Sequence, residues 1–330
     1  MSDCKPKSFE IPEIMQYQQN RYPMLFVDKI TECIPLDFAK GYKLFSYNEW
    51  YFHGYEGSNP NVWNAIQIEA MSQVFLMTFL TSEKAKGHIA MSNKFDNVHF
   101  FRKIEIGDKL EIEANLNSFR HGIAKGNVIG FVNSEKACSM ECVIIVPEFF
   151  GKFQHALPQI ETDKTQYLNS ITGIEKIKKK NNKLNLTNCG IGWIKNCFEN
   201  RYPWLFLDKV IDILPGKYVR VFKNFTFNEH FFPSHFPNDP SVPGFIQIES
   251  CFQAFLLTIL SIEKNIGNDL KDLNLTNIRV KRKIIPGEQL EIFAKLYDLE
   301  SGHAKGKVQS YVDGEEALSL EISLFIVGKS

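Results

Sequence analysis

His235 stands in a loop crowded with aromatic and proline residues, Glu229-His230-Phe231-Phe232-Pro233-Ser234-His235-Phe236-Pro237, which runs on to Pro243-Gly244. Glu69 stands in an otherwise apolar run, Ala65-Ile66-Gln67-Ile68-Glu69-Ala70-Met71. These residue types suit proton transfer. An imidazole titrates near neutral pH and serves as a base there. A carboxyl held among apolar side chains has a raised pKa and keeps a proton to give away. Burying it is costly unless it is paired or used. A lone histidine in an aromatic loop is more often structural, so the surrounding pattern has to decide. Gln73 follows Glu69 by four residues on the same helical face, where it can orient the carboxyl.

What must position these residues is a duplication. Asn20-Arg21-Tyr22-Pro23 recurs as Asn200-Arg201-Tyr202-Pro203, an offset of 200 − 20 = 180. The offset is unchanged at Gln67-Ile68-Glu69 and Gln247-Ile248-Glu249, and at Ala124-Lys125-Gly126 and Ala304-Lys305-Gly306. Roughly a third of the positions from 20 to 146 match their partners without a gap, and so long a period means two whole domains. The expected boundaries are a first repeat at 1–147, a linker at 148–186 and a second repeat at 187–330. The linker is polar and basic around Lys178-Lys179-Lys180 and is expected to be patternless and solvated, with at most a weak attraction for an acidic partner.

Both repeats run through the same elements. A short amphipathic start (11–19 and 191–199) leads to the Arg-Tyr-Pro step. Two strand-like runs follow, then an irregular aromatic loop. Next comes a long segment, 64–84 and 244–264, apolar on nearly all faces and read as a buried helix. The remainder alternates with period two, as in Lys109-Leu110-Glu111-Ile112-Glu113-Ala114, and reads as antiparallel strands. One buried helix with five or six strands predicts an α+β domain in which a curved antiparallel sheet wraps that helix.

Composition bounds the partners. The 38 basic and 38 acidic side chains cancel, which speaks against a nucleic-acid-coating protein. The 28 Phe residues suit deep apolar packing or a channel for a greasy ligand. Seven Cys are scattered with no CxxC pair or zinc spacing, as expected in a reducing cytoplasm and without a metal. The start Met-Ser-Asp-Cys-Lys-Pro-Lys is not followed by a signal-like apolar stretch, and no stretch is long enough for a membrane span, so a cytoplasmic location is expected.

The second repeat closely resembles the FabZ-type 3-hydroxyacyl-acyl-carrier-protein dehydratases. Their FF..GHFP..P.MPG.L..E signature is matched by Phe231 to Glu249. Arg201 to Asp208 matches their opening RYP...D, and Val280 to Leu290 their later basic strand and turn. The resemblance covers nearly all of the second repeat, and the first with losses. It implies a double hot-dog fold, an intrachain pseudo-dimer in place of the family's dimer, and no cofactor. It also implies dehydration of a (3R)-3-hydroxyacyl chain on acyl carrier protein to the trans-2-enoyl thioester. In that family each site takes its histidine from one subunit and its carboxylate from the other. Carried over, His235 is the catalytic base, Glu69 the acid, and Gly244 at a helix start the oxyanion site.

The first repeat departs from the pattern where it matters. At 235 − 180 = 55 stands Tyr55, whose high pKa makes it a poor base near neutrality. Pro243 and Gly244 are answered by Trp63 and Asn64. One working site, His235 with Glu69, is therefore expected, with Tyr55 and Glu249 as a degenerate second. A local bulge could bring His53 into the lost place. Arg102 and Arg282 suit structure or carrier docking. Arg279, Lys281, Arg282 and Lys283 suit the steering of an acidic carrier. Hydrolysis of an acyl thioester, or acyl binding without catalysis as a synthase subunit, are the alternatives. Further assembly of pseudo-dimers is open.

Overall fold

The computed structural model describes residues 5–55, 60–150, 164–180, 186–262, 265 and 269–328. The chain divides into two compact units. The first comprises residues 1–49, 60–158 and 230–240; the second comprises 50–59, 159–229 and 241–330. Each unit thus takes most of one repeat and a short aromatic segment of the other.

In the first unit, β1 (Lys7–Phe9), β2 (Lys29–Ile34), β3 (Phe38–Leu44), β4 (Met91–Phe100), β5 (Lys109–Arg120), β6 (Ile123–Val132) and β7 (Glu135–Ile145) run in the order β1-β2-β3-β5-β6-β7-β4. Every pairing is antiparallel. A short helix α1 (Ile11–Tyr17) precedes the Arg-Tyr-Pro step, and the buried helix α2 (Asn64–Leu80) packs on strands β3, β5 and β6. Burial alternates along β6, as period-two patterning requires.

The second unit repeats this plan. It also holds the single-turn helix Trp50–Phe52 of the first repeat. Helices α3 (Thr165–Lys180), α4 (Ile191–Cys197) and α5 (Gly244–Leu260) accompany β8 (Leu186–Cys189), β9 (Lys209–Leu214), β10 (Tyr218–Asn224), β11 (Asp269–Val280), β12 (Gln289–Glu300), β13 (His303–Val312) and β14 (Glu315–Val327). Their order is β11-β14-β13-β12-β10-β9-β8, again antiparallel throughout.

The matched glycines of the Ala-Lys-Gly blocks have a packing reason. A Cβ at Gly126 would collide with the Asn115 carbonyl oxygen and the Phe75 ring of α2. One at Gly306 would collide with the Lys295 carbonyl oxygen and the Phe255 ring of α5. Absence of a side chain is what lets each helix lie flat on its sheet. The Arg-Tyr-Pro arginines are also structural. The Arg21 guanidinium donates to the carbonyls of Met15, Gln18 and Asn20 at 3.0, 2.6 and 2.8 Å, closing the end of α1. Arg201 does the same to Phe198 and Asn200 at 2.6 and 2.8 Å.

The segment expected as a patternless linker differs. Residues 151–163 and 181–185 lie outside the described residues, but its middle is helix α3. Tyr167, Ile171, Ile174 and Ile177 are spaced at i, i+4, i+7 and i+10, a helical stripe. They cover a buried cluster of Leu214, Tyr218, Phe293 and Tyr311. Ser170 Oγ and Tyr311 Oη lie 3.1 Å apart, and Lys178 pairs with Asp212. That part of the lysine-rich run is an anchored face.

Candidate active site

Glu69 sits on the second turn of α2, deep among apolar side chains, with part of its surface still accessible. Gln73, one turn on, clamps it. Its Nε2 donates to Glu69 Oε1 at 2.7 Å and to the Met24 carbonyl at 2.8 Å, while its Oε1 accepts the Phe26 N–H at 2.7 Å. The amide is thus saturated by the chain that follows the Arg-Tyr-Pro step, and the carboxyl is held in one orientation. Burial pushes the Glu69 carboxyl up to about 7, opposed by the Gln73 hydrogen bond. A carboxyl of that acidity holds a proton near neutral pH and can deliver it.

His235 lies in the segment His230–Pro240, which belongs to the same compact unit as Glu69. The loop is shaped by its own backbone. The N–H groups of Ser234 and His235 donate to the Phe231 carbonyl at 3.1 and 3.0 Å, and Phe236 and Asp239 exchange two bonds at 3.3 and 3.0 Å. The imidazole is half-buried and stacks on Phe236 with ring centres 4.1 Å apart. His230 differs, because burial pushes it down to about 4 and keeps it neutral. The entry to the loop is anchored in the second unit, where buried Lys223 pairs with Glu229 at 2.6 Å and Asp208 at 3.7 Å. Gly244 is the first residue of α5, with Pro243 before it, and belongs to the second unit.

The second unit holds the matching clamp. Gln253 Nε2 donates to Glu249 Oε1 at 2.8 Å and to the Trp204 carbonyl at 3.1 Å, and its Oε1 accepts the Phe206 N–H at 2.9 Å. Burial pushes Glu249 up to about 7, opposed by the Gln253 hydrogen bond. Glu249 is only 4% exposed. Tyr55, from segment 50–59, belongs to this unit. Its hydroxyl donates to Glu199 Oε2 at 3.0 Å, and burial with the Glu199 charge pushes it up to about 12. A phenol held so firmly protonated is no base at neutral pH. His53 is exposed, on a turn whose N–H bonds back to Trp50 at 3.3 Å.

Two of the four expected steering cations are paired with carboxylates. Lys281 pairs with Glu316 at 2.6 Å, and Arg282 with Glu288 at 2.5 Å and Glu315 at 3.6 Å. Arg102 makes the equivalent pairs with Asp108 at 3.6 Å and Glu135 at 3.3 Å. These arginines tie a turn to a neighbouring strand. The aromatic residues around Glu249 read in the sequence as ordinary core, and only comparing Met24 with Trp204 at the 180 offset exposes the change.

Two FabA-like domain matches lie on the chain, at residues 19–141 and 199–321. The chain belongs to this family. It is 36% identical over 140 residues to a 3-hydroxyacyl-[acyl-carrier-protein] dehydratase FabZ of Clostridium novyi, covering 42% of this chain and 98% of that protein. With the FabZ dehydratase of Exiguobacterium sibiricum it is 35% identical over 133 residues, covering 40% of this chain and 95% of that one. Among solved structures, the dehydratase domain from the CurJ module of curacin polyketide synthase superposes with a TM-score of 0.55 at 12% identity, covering 98% of this chain and 95% of that domain. That likeness speaks for the fold, a tandem of FabA-like hot-dog domains. Among the described residues no helix is long and apolar enough to cross a membrane.

Proposed function

We propose that this FabA-like protein dehydrates a (3R)-3-hydroxyacyl thioester carried on acyl carrier protein, at one site built from His235 and Glu69. The gathering of the His235 segment with Glu69 in one compact unit, and of Tyr55 with Glu249 in the other, carries this reading. His235 takes the C2 proton. The C2–H electron pair becomes the C2–C3 double bond as the C3–O bond breaks. Glu69, protonated near neutrality because of its burial, gives its proton to the departing hydroxyl, which leaves as water. Gln73 holds the carboxyl on its axis through both hydrogen bonds. The 1-to-1 use of one acid and one base needs no metal or nucleotide. In the second unit Tyr55 stands in the histidine's place and supplies no base beside Glu249.

The similarity to FabZ dehydratases supports carrier protein as the substrate's other half. The test is conversion of 3-hydroxybutyryl and 3-hydroxydecanoyl carrier protein. Enoyl thioester, seen by ultraviolet absorbance and mass spectrometry, is the expected product. Free carrier thiol without enoyl product would turn the reading to hydrolysis. Tight binding with neither product would turn it to a carrier-binding subunit.

A further inference from the structure

The two glutamine–glutamate clamps are alike, and the side chains around them are not. At four pairs of positions related by the 180 offset, the residue gathered into the second unit is the bulkier. Trp204 answers Met24, Phe245 answers Ala65, Trp50 answers His230 and Tyr51 answers Phe231. These aromatics form one packed group. The Trp204 ring lies 5.9 Å from Trp50, 5.9 Å from Tyr51 and 5.3 Å from Phe206. It stacks on Phe245 at 6.3 Å, with the two planes 18° apart. Trp204 is 1% exposed and stands against Glu249.

The segment that brings in Trp50 and Tyr51 is pinned. Gly54 lies so close to the Tyr202 carbonyl oxygen that a Cβ would collide with it, and its positive φ of 71° favours glycine as well. One residue on, the Tyr55 hydroxyl is tied to Glu199, where the first repeat has Gln19. Glu249 ends up sealed, whereas Glu69 keeps accessible surface. An apolar pocket that receives an acyl chain needs free volume beside its catalytic group, and close-packed aromatics remove it.

We infer that Trp204, stacked on Phe245, fills the acyl pocket of the second unit, so that this site is closed by bulk as well as by loss of its histidine. The inference rests on the dehydratase reading of the first unit. It makes Trp204 an occupancy-determining residue, and a Tyr55→His substitution alone leaves the second site silent.

The experiment is calorimetric titration of the full chain with octanoyl-pantetheine, an unreactive thioester without the 3-hydroxyl. Trp204→Met, which installs the residue of the first repeat, is expected to bind one more molecule per chain than wild type. Trp204→Phe is expected to bind the wild-type number. An unchanged number in Trp204→Met with native circular dichroism would overturn the inference. The number bound by wild type speaks separately to the first unit, since none bound undermines the dehydratase reading and leaves the increment readable. A diazirine-bearing octanoyl-pantetheine gives a second measurement on wild type alone, independent of how the variant folds. Labelling that spares Trp204, Phe206 and Phe245 supports the inference, and labelling of any of them overturns it.

Discussion

The glutamate of each unit is buried, raised to about 7 and held by a glutamine one turn along its helix, so the two carboxyls differ little as acids. They differ in company. Glu69 shares its unit with a histidine and keeps accessible surface, while Glu249 shares its unit with a tyrosine committed to Glu199 and is shut in by tryptophan. In the proposed scheme, a tuned pKa is therefore not what separates the two sites. Both units keep the clamp at the same helix position, and what differs is the set of side chains that stands next to it. Perturbed acidity marks both places and picks out neither.

The largest expected effect breaks the symmetry of base and phenol. His235→Ala should cut turnover on a 3-hydroxyacyl thioester about 10²–10⁴-fold, as removal of a general base does. Tyr55→Phe should leave turnover within about a factor of two of wild type, well below what loss of a proton-transfer group costs. Steady-state assays on both variants check this.

The pH dependence sharpens the same contrast. Glu69 works as an acid only while protonated, so kcat/KM should fall on the alkaline side with a midpoint near its raised pKa of about 7. A profile flat up to pH 9 would remove Glu69 from the acid role.

Glu249 should register in stability instead. Its folded pKa of about 7 lies above the usual carboxylate value of 4.5. The folded state thus binds the extra proton between those two pH values. The contribution is full below about 4.5 and is lost as pH rises through 7. Glu249→Gln, which cannot ionise, should therefore raise stability at pH 8 by at most about 3 kcal/mol and change it little at pH 4.5. Denaturant melts at the two pH values read this directly.

Helix α3 gives the smallest effect, one confined to the second unit. Ile174 is 4% exposed in the cluster under that helix. Ile174→Ala should cost about 2 kcal/mol, at the low end for a buried isoleucine. Turnover should be unchanged when measured below the melting range.

Much of the fold is legible in the sequence because the repeat reads twice. The starts of α2 and α5, at Asn64 and Gly244, coincide with the expected ones. Both helices end four residues early, at Leu80 and Leu260. No proline or glycine marks that end. In α2, the Thr81 and Ser82 hydroxyls instead bond back to the carbonyls of Met77 and Phe79 at 2.6 Å each. Strands β1 and β8, with 3 and 4 residues, are too short to show alternation, so among the described residues seven strands are found per unit where five or six were expected. The stripe of α3 is masked by the lysines of its second half, whose charge dominates the segment's composition. At the site, His235, Glu69 and Gln73 carry a chemical signature in their types and spacing. Trp204 does not, because an aromatic in an apolar stretch reads as core until its counterpart, Met24, is set beside it.

The most direct test of the account compares dehydratase turnover of Glu69→Gln and Glu249→Gln with wild type on the same 3-hydroxyacyl carrier-protein substrate. Glutamine keeps the shape and a hydrogen bond to the clamp but cannot donate the acid's proton. The account predicts that Glu69→Gln abolishes enoyl formation and that Glu249→Gln leaves it at the wild-type rate. Loss of activity in Glu249→Gln with activity retained in Glu69→Gln would contradict it.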